Sequence, residues 1–153
     1  MNKFFKTVLL TGLFVGTTDI VLAFTSAYIK SGKFAGKMFN YIAAGALGVP
    51  TALKGGNAAA FLGLFFHYFI AFSFTLLFFL VFPKLKFLAF NKYLVGMLYA
   101  VFVSMVVDQL ILRLTPLGAF PFNLADYFIN WVVFGILFGV PIAYNTYKYY
   151  GVE

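Results

Sequence analysis

Long apolar stretches, broken by short clusters of glycine, proline and lysine, set the pattern of this chain. Four such stretches, at about residues 7–29, 57–82, 93–114 and 127–147, reach or exceed the ~20 residues that a helix needs to cross ~30 Å of hydrocarbon. None alternates with the period of two expected of a barrel strand. The pattern therefore predicts helices that satisfy their own backbone hydrogen bonds within a bilayer.

The breaks fix the boundaries. "KGGN" (Lys54 to Asn57) offers two glycines as an interruption and Asn57 as a helix cap ahead of the second span. Pro83 ends that span. Lys84, Lys86 and Lys92 mark a loop of about ten residues, short enough to make the second and third spans antiparallel neighbours. Pro116, Gly118 and Pro121 close the third span. Pro141 predicts a kink in the fourth, which ends at Tyr144, Tyr147, Tyr149 and Tyr150, an expected interfacial aromatic belt. Lys3 and Lys6 before the first stretch, with "TSA" (Thr25 to Ala27) near its end, have the outline of a cleavable signal. The stretch is long for one, and Asp19 inside it has no use in a signal, so it is read as a span.

Between the first two spans, residues 31–56 are too apolar for an ordinary loop and too interrupted for a crossing. A helix over about residues 34–47, in a segment running to about residue 50, carries Lys33, Lys37 and Asn40 on one face and Phe34, Met38 and Ile42 on another. This predicts an interfacial or re-entrant helix, either a packing connector or a lid. The expected fold is all-α, a polytopic membrane four-helix bundle forming one transmembrane domain over residues 1–153.

Composition agrees: 63% of the 153 residues are apolar and 10% charged, against about a quarter charged in soluble domains. The formal charge of +7 comes from eleven basic residues placed singly or in pairs beside the spans, where they meet lipid headgroups. No basic stripe suits nucleic acid, so the partners expected are the lipid bilayer and another membrane protein or a second copy. Without cysteine, disulfides, thiolate metal sites and cysteine nucleophiles are excluded. Six basic residues fall on the side of the termini (Lys3, Lys6, Lys84, Lys86, Lys92, Lys148) and five opposite (Lys30, Lys33, Lys37, Lys54, Arg113). That margin leaves the positive-inside rule without force. Both termini are assigned to the cytoplasm, because the termini and the short loop hold their charge close to the spans.

The acidic residues are Asp19, Asp108, Asp126 and Glu153, so two of four carboxylates fall within apolar stretches. An Asp at mid-span disfavours insertion by about 2.5–3.5 kcal/mol, whereas the eleven Leu, Ile, Phe and Val of the first span favour it by roughly 3–7 kcal/mol. The span inserts, and its carboxylate is expected to face the bundle interior with a partner. Helix rise brings Asp19 and His67 to the same depth, each about 15 Å from the side opposite the termini, with Asp108 about 9 Å from it and Arg113 nearer still.

Three readings of this polar centre compete. It is a structural Asp–His pair, supported by Thr17 and Thr18 and worth about 0.6–2 kcal/mol per interhelical bond. It is a proton or ion path, since histidine titrates near neutrality. Or it is a metal or hydrolytic site, for which no HExxH-like spacing or nucleophile motif is present. No catalytic residue, cofactor or metal is assigned. A lipid-acting enzyme would call for a lateral aromatic groove containing all three ionisable residues. The pairs Gly12/Gly16 and Gly135/Gly139 are G-x-x-x-G faces, expected to pack helices within the chain and also able to serve an accessory subunit of a larger complex.

"GLFVGTTDI", "NYIAAGALG" and "KGGNAAAFLGLFFHYFIAF", in that order, resemble a family of small bacterial four-helix integral membrane proteins without an assigned biochemical role. The likeness covers about residues 10–75, with a looser echo around "GVPIAY". It implies four membrane helices and marks Gly16, Thr17, Asp19, Tyr41, Gly45, Gly55, Gly56 and His67 as pattern positions. It implies no reaction and no ligand.

Overall fold

The computed structural model of the chain describes residues 2–118 and 123–152, without the side chain of Asp126; the helix breaker Pro121 lies outside the described residues. The described residues are helical nearly throughout, with no strand. The helices are α1 (Lys3–Ser31), α2 (Met38–Leu47), α3 (Val49–Lys54), α4 (Gly56–Val81), α5 (Lys92–Met105), α6 (Leu124–Phe134) and α7 (Val140–Tyr150). Four helical units, Lys3–Ser31, Gly56–Lys84, Lys92–Leu114 and Tyr127–Tyr150, are long and apolar enough to cross a membrane. Their ends lie within four residues of those expected, the widest differences being Lys3 for residue 7 and Tyr150 for residue 147.

Asparagine opens three of the four. The side chains of Asn2, Asn91 and Asn123 accept from backbone N–H groups of the first turn, Asn91 from both Tyr93 and Leu94 at 3.0 Å. The second span departs from this. Gly55 stands at the cap of α4, Gly56 takes a positive φ of 53°, and Asn57, the expected cap, lies inside the helix.

Two spans change pitch. After α5 the backbone widens to a π-helical stretch at Val106–Ile111, then tightens to a 3₁₀ turn at Leu112–Leu114. Between α6 and α7 a second π-helical stretch, Gly135–Gly139, directly precedes Pro141, so the bend expected there takes the form of a widened turn.

Helix α1 packs antiparallel against α4, and α5 packs against α7 and the π stretch before it. Phe4 meets both Phe79 and Tyr149, at ring separations of 6.0 and 5.7 Å, which brings the start of α1 and the ends of α4 and α7 to one end of the bundle. The tyrosines there serve the interior more than a belt: Tyr147 is buried and donates to Leu88 O, and Tyr150 donates to Phe79 O at 2.9 Å. Tyr144 remains exposed, with the Lys92 ammonium over its ring. The core joins Val15, Phe78, Val103, Phe138 and Ile142, one or more from each span.

The glycine pairs face neighbours inside the chain. A Cβ on Gly16 would come 2.9 Å from Tyr68 Cδ1, and one on Gly12 would enter the Phe72 ring, both on α4. Gly135 and Gly139 lie against α5, at Met97 and Gly96. Two glycines outside either motif make equally close contacts: Gly63 of α4 meets the backbone of α2 at Phe39, and Gly96 receives Gly139.

The segment between the first two spans forms two helices, separated by Gly48 at φ 75°. Asn40, expected on the polar face with Lys33 and Lys37, is turned inward. It is 5% exposed, and its amide donates to Ala52 O at 3.0 Å and Gly56 O at 2.9 Å. The Asn40 amide thereby ties α2 to the α3–α4 corner, adding a second donor at Ala52 O, which also accepts from Gly55 N–H at 3.3 Å.

Candidate functional site

Helices α1 and α4 bring Asp19 and His67 together. Gly16 lets α1 approach α4 closely enough that His67 Nε2 lies 2.8 Å from the Gly16 carbonyl oxygen. A carbonyl only accepts, so Nε2 carries a hydrogen and donates it. The other ring nitrogen, Nδ1, faces Asp19 Oδ2 at 4.0 Å, an ion-pair separation beyond hydrogen-bond length. The Asp19 side chain is 32% exposed and that of His67 13%. Among the described residues the Asp19 carboxylate accepts no hydrogen bond.

The two threonines beside Asp19 hold the surrounding helices. Thr17 and Tyr68 share a hydrogen bond of 2.8 Å between their hydroxyls, again joining α1 to α4. Thr18 Oγ1 lies within reach of two carbonyls of its own helix, Phe14 and Val15, and of Leu137 O on the fourth span at 3.2 Å. Pro141 has no N–H, so the carbonyl four residues earlier, that of Leu137, has no α-helical donor. The Thr18 hydroxyl reaches this carbonyl, and the Asp19 turn is thereby tied to the bend of the fourth span.

Asp108 sits in the π stretch of the third span, within electrostatic range of Asp19. In contrast to Asp19 it accepts a hydrogen bond. Ser104 Oγ donates to Asp108 Oδ2 at 3.2 Å, and Trp131 Nε1 donates to Ser104 Oγ at 3.2 Å. Gln109 Nε2 donates to the Tyr127 oxygen at 3.1 Å. Sequence reasoning missed Ser104, Gln109, Tyr127 and Trp131. Ser104 stands four residues before Asp108, and Tyr127 and Trp131 stand four apart on the facing span, the helical spacing that a search outward from Asp108 would have followed.

Arg113 does not join the cluster. It is exposed in the 3₁₀ turn and forms no ion pair among the described residues. The altered pitch from Val106 onward removes the uniform helical register from which an approach to Asp108 was expected. Among the described residues no three His, Asp or Glu side chains converge as metal ligands.

An apolar groove of about 670 Å³ opens laterally between α1 and α4, lined among others by Phe5, Leu9, Phe65, Tyr68 and Phe72. Neither Asp19, His67 nor Asp108 lines it, so it lacks the coincidence of aromatic groove and ionisable residues that a lipid-acting enzyme would call for.

The pair has a definite proton logic. With Nε2–H committed to Gly16, a neutral imidazole presents a lone pair from Nδ1 toward Asp19. Neutral imidazole facing carboxylate sets two electron-rich atoms against each other at 4.0 Å. The repulsion is relieved by one positive charge, as a proton on either partner or as a cation between them.

The architecture is that of an all-α bundle, with four helices suited by length and composition to a bilayer. No family model, curated protein or solved structure matches the chain.

Proposed function

We propose that this chain is a bacterial inner-membrane protein, with both termini in the cytoplasm and α2 at the opposite interface, whose bundle binds and passes a proton or small cation at Asp19 and His67. Asp108, held by Ser104, is the second carboxylate of the route. One observation carries this reading: a carboxylate deep in an apolar helix accepts no hydrogen bond among the described residues, yet faces the acceptor-capable nitrogen of the described residues' one intramembrane histidine. Polar groups retained only to hold helices are expected to be satisfied by one another. Asp108 fits that pattern and Asp19 does not. Gly16, Thr17, Asp19 and His67 meet at this one contact region.

The alternative, an accessory subunit that assembles or stabilises a larger membrane complex, loses part of its motivation, since both G-x-x-x-G faces are occupied within the chain. Purification from gently solubilised native membranes with a stoichiometric larger partner would favour it.

The test is proton flux into liposomes containing the purified chain, driven by a potassium diffusion potential and followed with an internal pH dye. The parent chain accelerates flux, and Asp19→Asn or His67→Gln returns it to the rate of empty vesicles while the thermal midpoint is retained. If both variants lose stability together and the double variant is no worse than either single, the pair is structural.

A further inference from the structure

A second groove, of about 350 Å³, lies between α1 and α7 at the end that carries both termini. Its mouth is formed by Lys3, Thr7, Asn145, Lys148 and Tyr149, and Leu10, Thr11 and Phe14 continue it along α1. Two ammonium groups thus border one groove, and among the described residues no carboxylate lines it or pairs with either lysine. Charge complementarity makes an anion the fitting occupant of that mouth.

Two further donors are available. Asn145 uses one amide hydrogen on Pro141 O at 2.9 Å and keeps the other. Thr11 is only 3% exposed, yet its hydroxyl makes no hydrogen bond among the described residues, and it is not sealed from the groove. A nearly buried hydroxyl that lines the groove and makes no hydrogen bond among the described residues is what a bound phosphate would satisfy.

Below the lysines the groove turns apolar. Leu10 and Phe14 are each 55% exposed on the outer face of α1, and from Lys3 to Phe14 the helix descends about 16 Å, enough for a good part of an acyl chain. Free phosphate would leave that surface uncovered. We infer that the α1–α7 groove binds an acidic phospholipid, with its phosphate between Lys3 and Lys148 near Thr11 and Asn145, and one acyl chain along Leu10 and Phe14. This site is separate from the Asp19–His67 centre and does not depend on the function proposed for it.

The test is native mass spectrometry of the full chain in mild detergent, titrated with phosphatidylglycerol or phosphatidylcholine. Phosphatidylglycerol binds in preference, and Lys3→Gln/Lys148→Gln weakens it about thirtyfold, from roughly a factor of five for each lysine near a headgroup. The control Lys30→Gln/Lys33→Gln, at the opposite end, leaves binding unchanged. Thr11→Val, which removes no charge, also weakens phosphatidylglycerol. Lys148→Gln alone, remote from the cap of α1, gives the intermediate loss should the double variant unfold. Equal binding of the two lipids, equal losses in both lysine pairs, or no effect of Thr11→Val overturns the site. Inorganic phosphate that binds alone and displaces the lipid assigns the groove to free phosphate and overturns the lipid reading.

Discussion

At Gly12 an added Cβ would enter the Phe72 ring, whereas at Gly63 it would strike the Phe39 carbonyl and lie 3.1 Å from Ala43 N. A ring at the end of a side chain swings aside, but a backbone carbonyl moves only with its helix. Gly12→Ala is therefore expected to lower stability by less than about 1 kcal/mol, and Gly63→Ala by about 3 kcal/mol or more as α2 is pushed off α4. Thermal unfolding in detergent, followed by circular dichroism, measures both. Equal losses would mean that α2 yields as freely as a ring. Sequence alone ranks these glycines the other way, since Gly12 belongs to a recognisable pair and Gly63 to none. The same limit governs the polar centre. Asp19, His67 and Asp108 stand out because charge is rare in apolar runs, whereas Ser104 and Trp131 are ordinary in a membrane helix and gain meaning only when two spans face each other.

Among the elements, helix existence and approximate limits were legible because length and apolar composition determine them. The pitch changes were not, since a π-helical turn depends on which neighbour receives the displaced backbone groups. In the fourth span, Val140 N–H reaches back to Gly135 O, five residues rather than four, and Leu137 O receives Thr18 from the first span. This makes a coupling testable by a double-mutant cycle. Thr18→Val should lower stability by about 0.6–2 kcal/mol in the parent. In a Pro141→Ala background, where residue 141 regains an N–H for Leu137 O, the same substitution should matter less, with a coupling of about 0.5 kcal/mol or more. Identical losses in the two backgrounds would show that the Thr18 hydroxyl is satisfied by its own helix, at Phe14 and Val15. The inward turn of Asn40 has the same lesson: a helical wheel places a side chain on a face, but the carbonyls of a neighbouring corner within its reach decide where it points.

For the whole molecule, the antiparallel contact of α1 with α4 and the meeting of Phe4 with Phe79 and Tyr149 bring both termini and the turn after α4 to one end. Four crossings would require this whichever way the chain inserts, and near-equal basic counts at the two ends explain why charge alone did not set the direction. The absence of cysteine makes the arrangement readable with single introduced thiols. Lys6, Lys33 and Lys86 are exposed, and none belongs to the polar centre or the α1–α7 groove, so Lys6→Cys, Lys33→Cys and Lys86→Cys should preserve the fold. In sealed right-side-out and inverted vesicles treated with a membrane-impermeant maleimide, Lys6→Cys and Lys86→Cys should label from the cytoplasmic face only and Lys33→Cys from the opposite face only. Labelling of Lys33→Cys from the same face as Lys6→Cys would mean that α1 does not cross, and Asp19 would then lie outside the hydrocarbon. The reverse assignment of all three would keep the bundle and its polar centre while placing both termini outside the cytoplasm. The thiol pattern thus tests separately the depth that makes Asp19 chemically unusual and the direction in which a proton taken up there would travel.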